Sequence, residues 1–135
     1  MLLLGAAVIT DMPTLAGAKT VPKVIVTPSG SLKAGETVKV AGHGFKPGDS
    51  VYIVECQLTA KDSTGCDIAT AIPATITAKG ALAPTKFKIV KGVVGNGTCG
   101  TTRANLKKCA ISVGNATGGD SGVAAISFAP LPAKK

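Results

Sequence analysis

Ser50-Val51-Tyr52-Ile53-Val54-Glu55-Cys56 is a run of mostly β-branched and aromatic residues that ends in a cysteine, and Cys66 follows after nine more residues. Side chains of this kind fit a pleated, partly buried surface, so the run predicts a strand. Cys99 and Cys109 repeat the same spacing further along. Four cysteines allow three pairings, and sequence alone does not choose among them. The equal short loops favour Cys56–Cys66 and Cys99–Cys109. Closing a ten-residue loop stabilises by roughly 3 kcal/mol in the chain-entropy account. Two such staples suit a small exported domain in an oxidising compartment. Structural zinc sites use closer cysteine pairs, and His43 is the only histidine, so disulfides are preferred and no metal is assigned.

Outward from this run, short strand-like stretches alternate with turn residues. Val24–Thr27, Thr37–Ala41, Ser50–Cys56, Ala74–Thr77, Phe87–Val90, Cys109–Val113 and Val123–Phe128 make seven. A Gly80 turn separates the fourth from the fifth. No stretch keeps a helical period. Seven strands at this spacing predict an all-β fold, a seven-stranded antiparallel immunoglobulin-like sandwich with two local disulfide hairpins. There is no tryptophan. The staples are expected to fix hairpin ends rather than to join the sheets.

Three segments are expected. Leu2–Ile9 is a short apolar run and Ala16-Gly17-Ala18 a small-x-small site, so residues 1–18 read as a signal peptide. The run is too short to span a bilayer. Residues 19–129 form the sandwich domain, and the Pro/Lys stretch 130–135 a flexible tail. Secretion or cell-envelope association, as a monomer, follows.

Fifteen basic residues against seven acidic give a net charge of +8, and fourteen of the fifteen are lysine. Lysine is a hydrated point charge, without the bidentate fork by which arginine reads bases. Lys79, Lys86, Lys88 and Lys91, with Arg103, Lys107 and Lys108, are a candidate patch for weak, sequence-independent contact with DNA or anionic polymers. The same lysines also serve solubility and edge-strand protection.

The run from Val26-Thr27-Pro28-Ser29-Gly30 through Val38-Lys39-Val40-Ala41-Gly42-His43-Gly44-Phe45, the segment Val51–Cys56 with Gly65-Cys66-Asp67, and the closing Gly118-Gly119-Asp120-Ser121-Gly122-Val123-Ala124-Ala125-Ile126-Ser127-Phe128 together resemble the neocarzinostatin family of enediyne-antibiotic apoproteins. The likeness covers about Val24 to Ala129. It implies a secreted bacterial sandwich whose cleft, beside the first disulfide hairpin, holds a small apolar ligand: an enediyne-type chromophore bound non-covalently. Antimicrobial and DNA-damaging activity would belong to that ligand. Carried over by position, Glu55, Cys56, Leu58, Cys66, Ile72, Val93, Ser112 and Gly114 would line the cleft. Leu58, Ile72 and Val93 stand at or near places where neocarzinostatin itself has aromatic rings, Glu55 and Ala110 where it has glutamine. The walls would therefore be aliphatic. The family's characterised apoproteins are acidic, whereas this chain is basic. A basic extracellular or envelope module that binds polyanions or another protein, without chromophore, is the alternative.

Catalytic patterns are weak. Gly119-Asp120-Ser121-Gly122 with upstream His43 has the residue types of a serine protease, but the chain is too short for two barrels and an oxyanion loop. A turn entering the last strand explains the four residues better. His43 reads as an exposed turn residue and not a general base. Glu55, Asp62 and Asp67 lack calcium-loop spacing. Asn96 and Asn115 fit glycosylation acceptors only as short matches. The chain is read as non-enzymatic.

Overall fold

The computed structural model describes residues 21–132. The expected leader lies outside the described residues, as do residues 133–135 of the tail. Nine strands are present among the described residues: β1 (Lys23–Thr27), β2 (Thr37–His43), β3 (Ser50–Gln57), β4 (Ile72–Thr75), β5 (Leu82–Lys88), β6 (Gly92–Val94), β7 (Gly97–Cys99), β8 (Cys109–Gly114) and β9 (Ser121–Ala125). Single turns of 3-10 helix occupy Ser63–Gly65, Ile68–Thr70 and Arg103–Asn105.

Seven strands form the expected sandwich. One sheet has the order β1-β2-β5 and the other β4-β3-β8-β9, with every pairing antiparallel. The further two, β6 and β7, make a short ribbon of their own. That ribbon is glycine-rich and only three residues per strand, so no alternating pattern announces it.

Alternation decides the core. Val24 and Val26, Val38 and Val40, Val51 and Ile53, Ile111 and Val113 each point inward with an outward residue between them. With Phe87, Leu82 and Phe128 they fill one continuous core. Burying each such side chain contributes about 1.5–3 kcal/mol. Close approach of the sheets requires a glycine at Gly122, where a Cβ would lie 2.5 Å from the Pro22 carbonyl oxygen.

The boundaries of β4, β5 and β9 differ most from expectation. β4 is Ile72–Thr75 and β5 is Leu82–Lys88, each beginning earlier than its sequence pattern. Both are edge strands, the place where a sheet tolerates Pro73 and Pro84. The Gly80 turn carries the chain from one sheet to the other and closes no hairpin. β9 ends at Ala125, yet Ile126 and Phe128 remain buried because loop hydrogen bonds hold them. Ile126 N–H donates to the Cys109 carbonyl and Phe128 N–H to that of Leu106.

The stretch after β9 also laces the two sheets along one side. Leu32 N–H donates to the Ser127 carbonyl at 3.1 Å, Ser127 N–H to Ser29 at 2.9 Å and Ala129 N–H to Leu32 at 2.9 Å. The disulfides are Cys56–Cys66 and Cys99–Cys109. The first closes the loop after β3. The second corrects the hairpin expectation, because it ties the β6–β7 ribbon to β8 of the main sheet.

Candidate functional site

Cross-strand partners share a face, so the registers define the outer surface of the four-stranded sheet. Tyr52 is opposite Pro73 on one side and Gly114 on the other; Val54 is opposite Ser112; Cys56 is opposite Ala110. Gly114, Ser112 and Ala110 in turn face Ser121, Val123 and Ala125. The face is apolar and small-residued. Tyr52 is 48% exposed and Val123 57%, whereas Phe45, Phe87 and Phe128 are buried. Tyr52 thus presents a ring between Pro73 and a residue with no side chain. The Cys56–Cys66 disulfide covers the far end of this face, where Ala110 is buried.

The residues expected to line one cleft divide among several places. Cys56, Ser112 and Gly114 share the outer face with Tyr52. Cys66 bridges to Cys56 and is half-buried. Leu58, 45% exposed, lies just past β3, its N–H donating to the Lys108 carbonyl at 2.7 Å. Val93 is 71% exposed on the ribbon. Ile72 pairs with Ile53 and packs on the core, so it belongs to the inner face, opposite Ser112.

Glu55 also departs from expectation. It follows Val51 and Ile53 on the inward-facing register and is fully buried, so it lies behind the outer face and does not line it. Its Oε1 accepts from Val90 N–H at 2.7 Å, and its Oε2 has no partner. Burial is the main cause that pushes its carboxyl up to about 7; the Val90 bond opposes the shift, and nearby Asp67 adds to it. A protonated carboxyl avoids most of the cost of burying a charge.

Beside the first disulfide loop, a polar cavity of about 370 Å³ separates that loop from the ribbon, with Gln57, Lys61, Asp62, Thr64 and Asn96 in its lining. Gln57 Nε2 donates to the Val94 carbonyl at 3.0 Å and holds the ribbon to the sheet. Gly95 lies against the backbone of Gly65, at φ +61, where a Cβ would sit 2.3 Å from the Gly65 carbonyl carbon. Sequence reasoning missed Tyr52, Gln57 and this contact. Only the strand register could have singled out Tyr52.

The sequence pattern of the neocarzinostatin family matches residues 24–128, the whole span from β1 to the lacing segment. The chain belongs to the neocarzinostatin family. Macromomycin of Streptomyces macromomyceticus is 32% identical over 114 residues, which cover 80% of this chain and 77% of that protein. The solved structure of macromomycin superposes with a TM-score of 0.60 at 31% identity, covering 80% of this chain and 99% of the other. The solution conformation of apokedarcidin gives 0.53 at 27% identity, covering 81% and 99%.

Against this family frame the basic residues fall into two groups, not one. Lys86 and Lys88 lie on the outer face of the three-stranded sheet, where register adds Lys23 and Lys39. Lys39 and Lys86 are directly opposed. No Asp or Glu occurs in β1, β2 or β5. Lys91 instead approaches Gly100, and so joins Arg103, Lys107 and Lys108 at the second disulfide loop. Lys79 sits apart in the β4–β5 turn.

The protease-like residues serve turns. Ser121 Oγ donates to the Gly118 carbonyl at 3.4 Å, and Asp120 Oδ2 accepts from Lys46 N–H at 3.0 Å. Asp120 is pushed up, first by burial, and Asp49 beside it is held down, first by its side-chain interaction with Asp120. His43 is exposed and closes β2, so it is a strand residue and not a turn residue. Asn115 is engaged with Asp49 at 3.1 Å. Among the described residues no cluster of three or more metal-ligating side chains occurs, and no helix is long and apolar enough to cross a membrane.

Proposed function

We propose that this chain is a secreted, non-enzymatic binding protein that holds a small apolar ligand against the outer face of its four-stranded sheet, next to the first disulfide loop. One observation carries the reading. Tyr52, Val54 and Val123 form an apolar surface around Ser112, Gly114 and Ser121, on a sheet whose other face is already the core. An apolar sheet face left in water marks a binding surface. Family membership supports it, since the family resemblance implies a non-covalently held chromophore of enediyne type. The ligand here is flatter and smaller than one held by several rings, because Tyr52 is the only ring on the face and Leu58 and Val93 are aliphatic. Ring stacking adds about 0.5–1.5 kcal/mol beyond area burial.

Titration with neutral 2-naphthol tests this. Saturable one-to-one binding, weakened about tenfold by Tyr52→Ala and little changed by Tyr52→Phe, is the expected result. Binding indifferent to Tyr52→Ala and to Leu58→Asp would remove the reading.

The lysine face supports a second role, weak association with polyanions. Four lysines on one acid-free sheet face attract phosphate backbones without reading sequence. Affinity for duplex DNA should fall steeply with salt and not vary with base sequence; salt-independent binding contradicts it.

A further inference from the structure

The sandwich has a second apolar opening, on the opposite side of the four-stranded sheet from Tyr52. β4 is the edge of one sheet and β5 the edge of the other. They are held together at the Gly80 turn, where Thr77 N–H donates to the Ala81 carbonyl and Gly80 N–H to that of Thr77. Being in different sheets, they share no ladder. At their far ends, Ile72 and Lys88, they part and leave a groove of about 350 Å³. Ile72, Phe87, Ile89 and Val90 make it apolar, and Lys86 and Lys88 stand at its rim. That volume lies within the range of small-ligand sites.

We propose that this groove binds an amphipathic anion, its apolar tail between the edges of β4 and β5 and its carboxylate at Lys86 and Lys88. Charge complementarity selects the occupant. The groove lining holds two cations and no acid. The features of the edges argue against a peptide or a second copy adding as a strand. Each edge carries a proline, Pro73 or Pro84, that offers no N–H, and lysine on an edge strand opposes edge-to-edge pairing. Half-buried Ile72 and Val90 are the surface such a tail would cover. Val90 is itself anchored from beneath by Glu55, so the groove floor is fixed before the ligand arrives.

The test is calorimetric titration of the whole protein with decanoate and with decyltrimethylammonium, its charge-reversed counterpart, below their micelle concentrations. Decanoate should bind one-to-one and the cation at least tenfold more weakly. Lys86→Glu with Lys88→Glu, both on exposed positions, should weaken decanoate at least tenfold. Ile72→Trp, which fills the groove, should abolish binding, and 2-naphthol on the outer face should not compete. Equal affinity for the cation, displacement by 2-naphthol, or no saturable binding would each overturn the proposal. Size-exclusion chromatography that shows a dimer dissociated by Ile72→Trp would overturn it in favour of a second copy.

Discussion

The N–H of Val90 meets Oε1 of Glu55 at 2.7 Å, which joins the loop after β5 to the inward face of β3. The other carboxyl oxygen meets nothing. Burial makes the protonated carboxyl the favoured form in this arrangement. An unfolded glutamate titrates near 4.5, and the folded one is pushed up to about 7. Between these values the unfolded chain has lost a proton that the native state retains, so stability falls as pH rises. The contribution is complete below about pH 4.5 and is lost as pH passes through about 7, a total of about 3 kcal/mol. Urea midpoints measured from pH 4.5 to 8 should show this slope. Glu55→Gln keeps the acceptor for Val90 and should flatten the profile. An unchanged slope in that variant would rule out Glu55 as its source.

The second disulfide holds the ribbon to β8, so its removal should act locally as well as globally. Cys99→Ser with Cys109→Ser should cost about 3 kcal/mol and speed amide exchange most in Gly92–Cys99. Uniform acceleration across all strands would contradict a local role.

Gly95 against Gly65 leaves no room for a side chain. Gly95→Ala should destabilise by about 1–3 kcal/mol through overpacking and left-handed backbone strain. A thermal midpoint within a degree of the parent would show that the ribbon shifts freely.

Lys39 opposite Lys86 is a repulsive cross-strand pair. Lys39→Glu should therefore raise stability by about 0.5 kcal/mol while weakening duplex DNA binding and lowering its salt slope. A gain in stability with DNA affinity untouched would separate the lysine face from polyanion contact.

The architecture was legible because β2, β3 and β8 combine alternation with β-branched residues, and because cysteine spacing located the two loops. Edge strands were less legible. Pro73 and Pro84 read as loop, although an edge needs fewer donors than a central strand. The ribbon hid behind glycines that pack on Gln57 and Gly65 rather than on a hydrophobic face. For the candidate site, position along the chain carried Cys56, Ser112 and Gly114 to the outer face but could not tell which face Glu55 or Ile72 would take. A strand slipped by one residue reverses every side chain, so only the register settles this. Tyr52 stood inside the best strand of the sequence and was read there only as a strand residue. The basic patch was drawn along the chain, while sheet pairing brings Lys23 and Lys39 beside Lys86 and Lys88 from distant segments.

The lacing of Ser29 and Leu32 to Ser127 and Ala129 gives the sandwich a bound spine of backbone hydrogen bonds along one flank. The opposite flank, where β4 and β5 part, has fewer stitches among the described residues: beyond the Gly80 turn, the bond from Val90 N–H to Glu55 ties the end of β5 to β3. Thermal breathing of the two sheets is then a book-like opening, smallest at the spine and widest at Ile72 and Lys88. The amides of Leu32 and Ala129 will be among the slowest to exchange, and the fore-edge will sample wider states many times before the domain unfolds. Evolution of a new pocket in this fold would begin at that fore-edge, where enlarging the gap disturbs the fewest existing bonds.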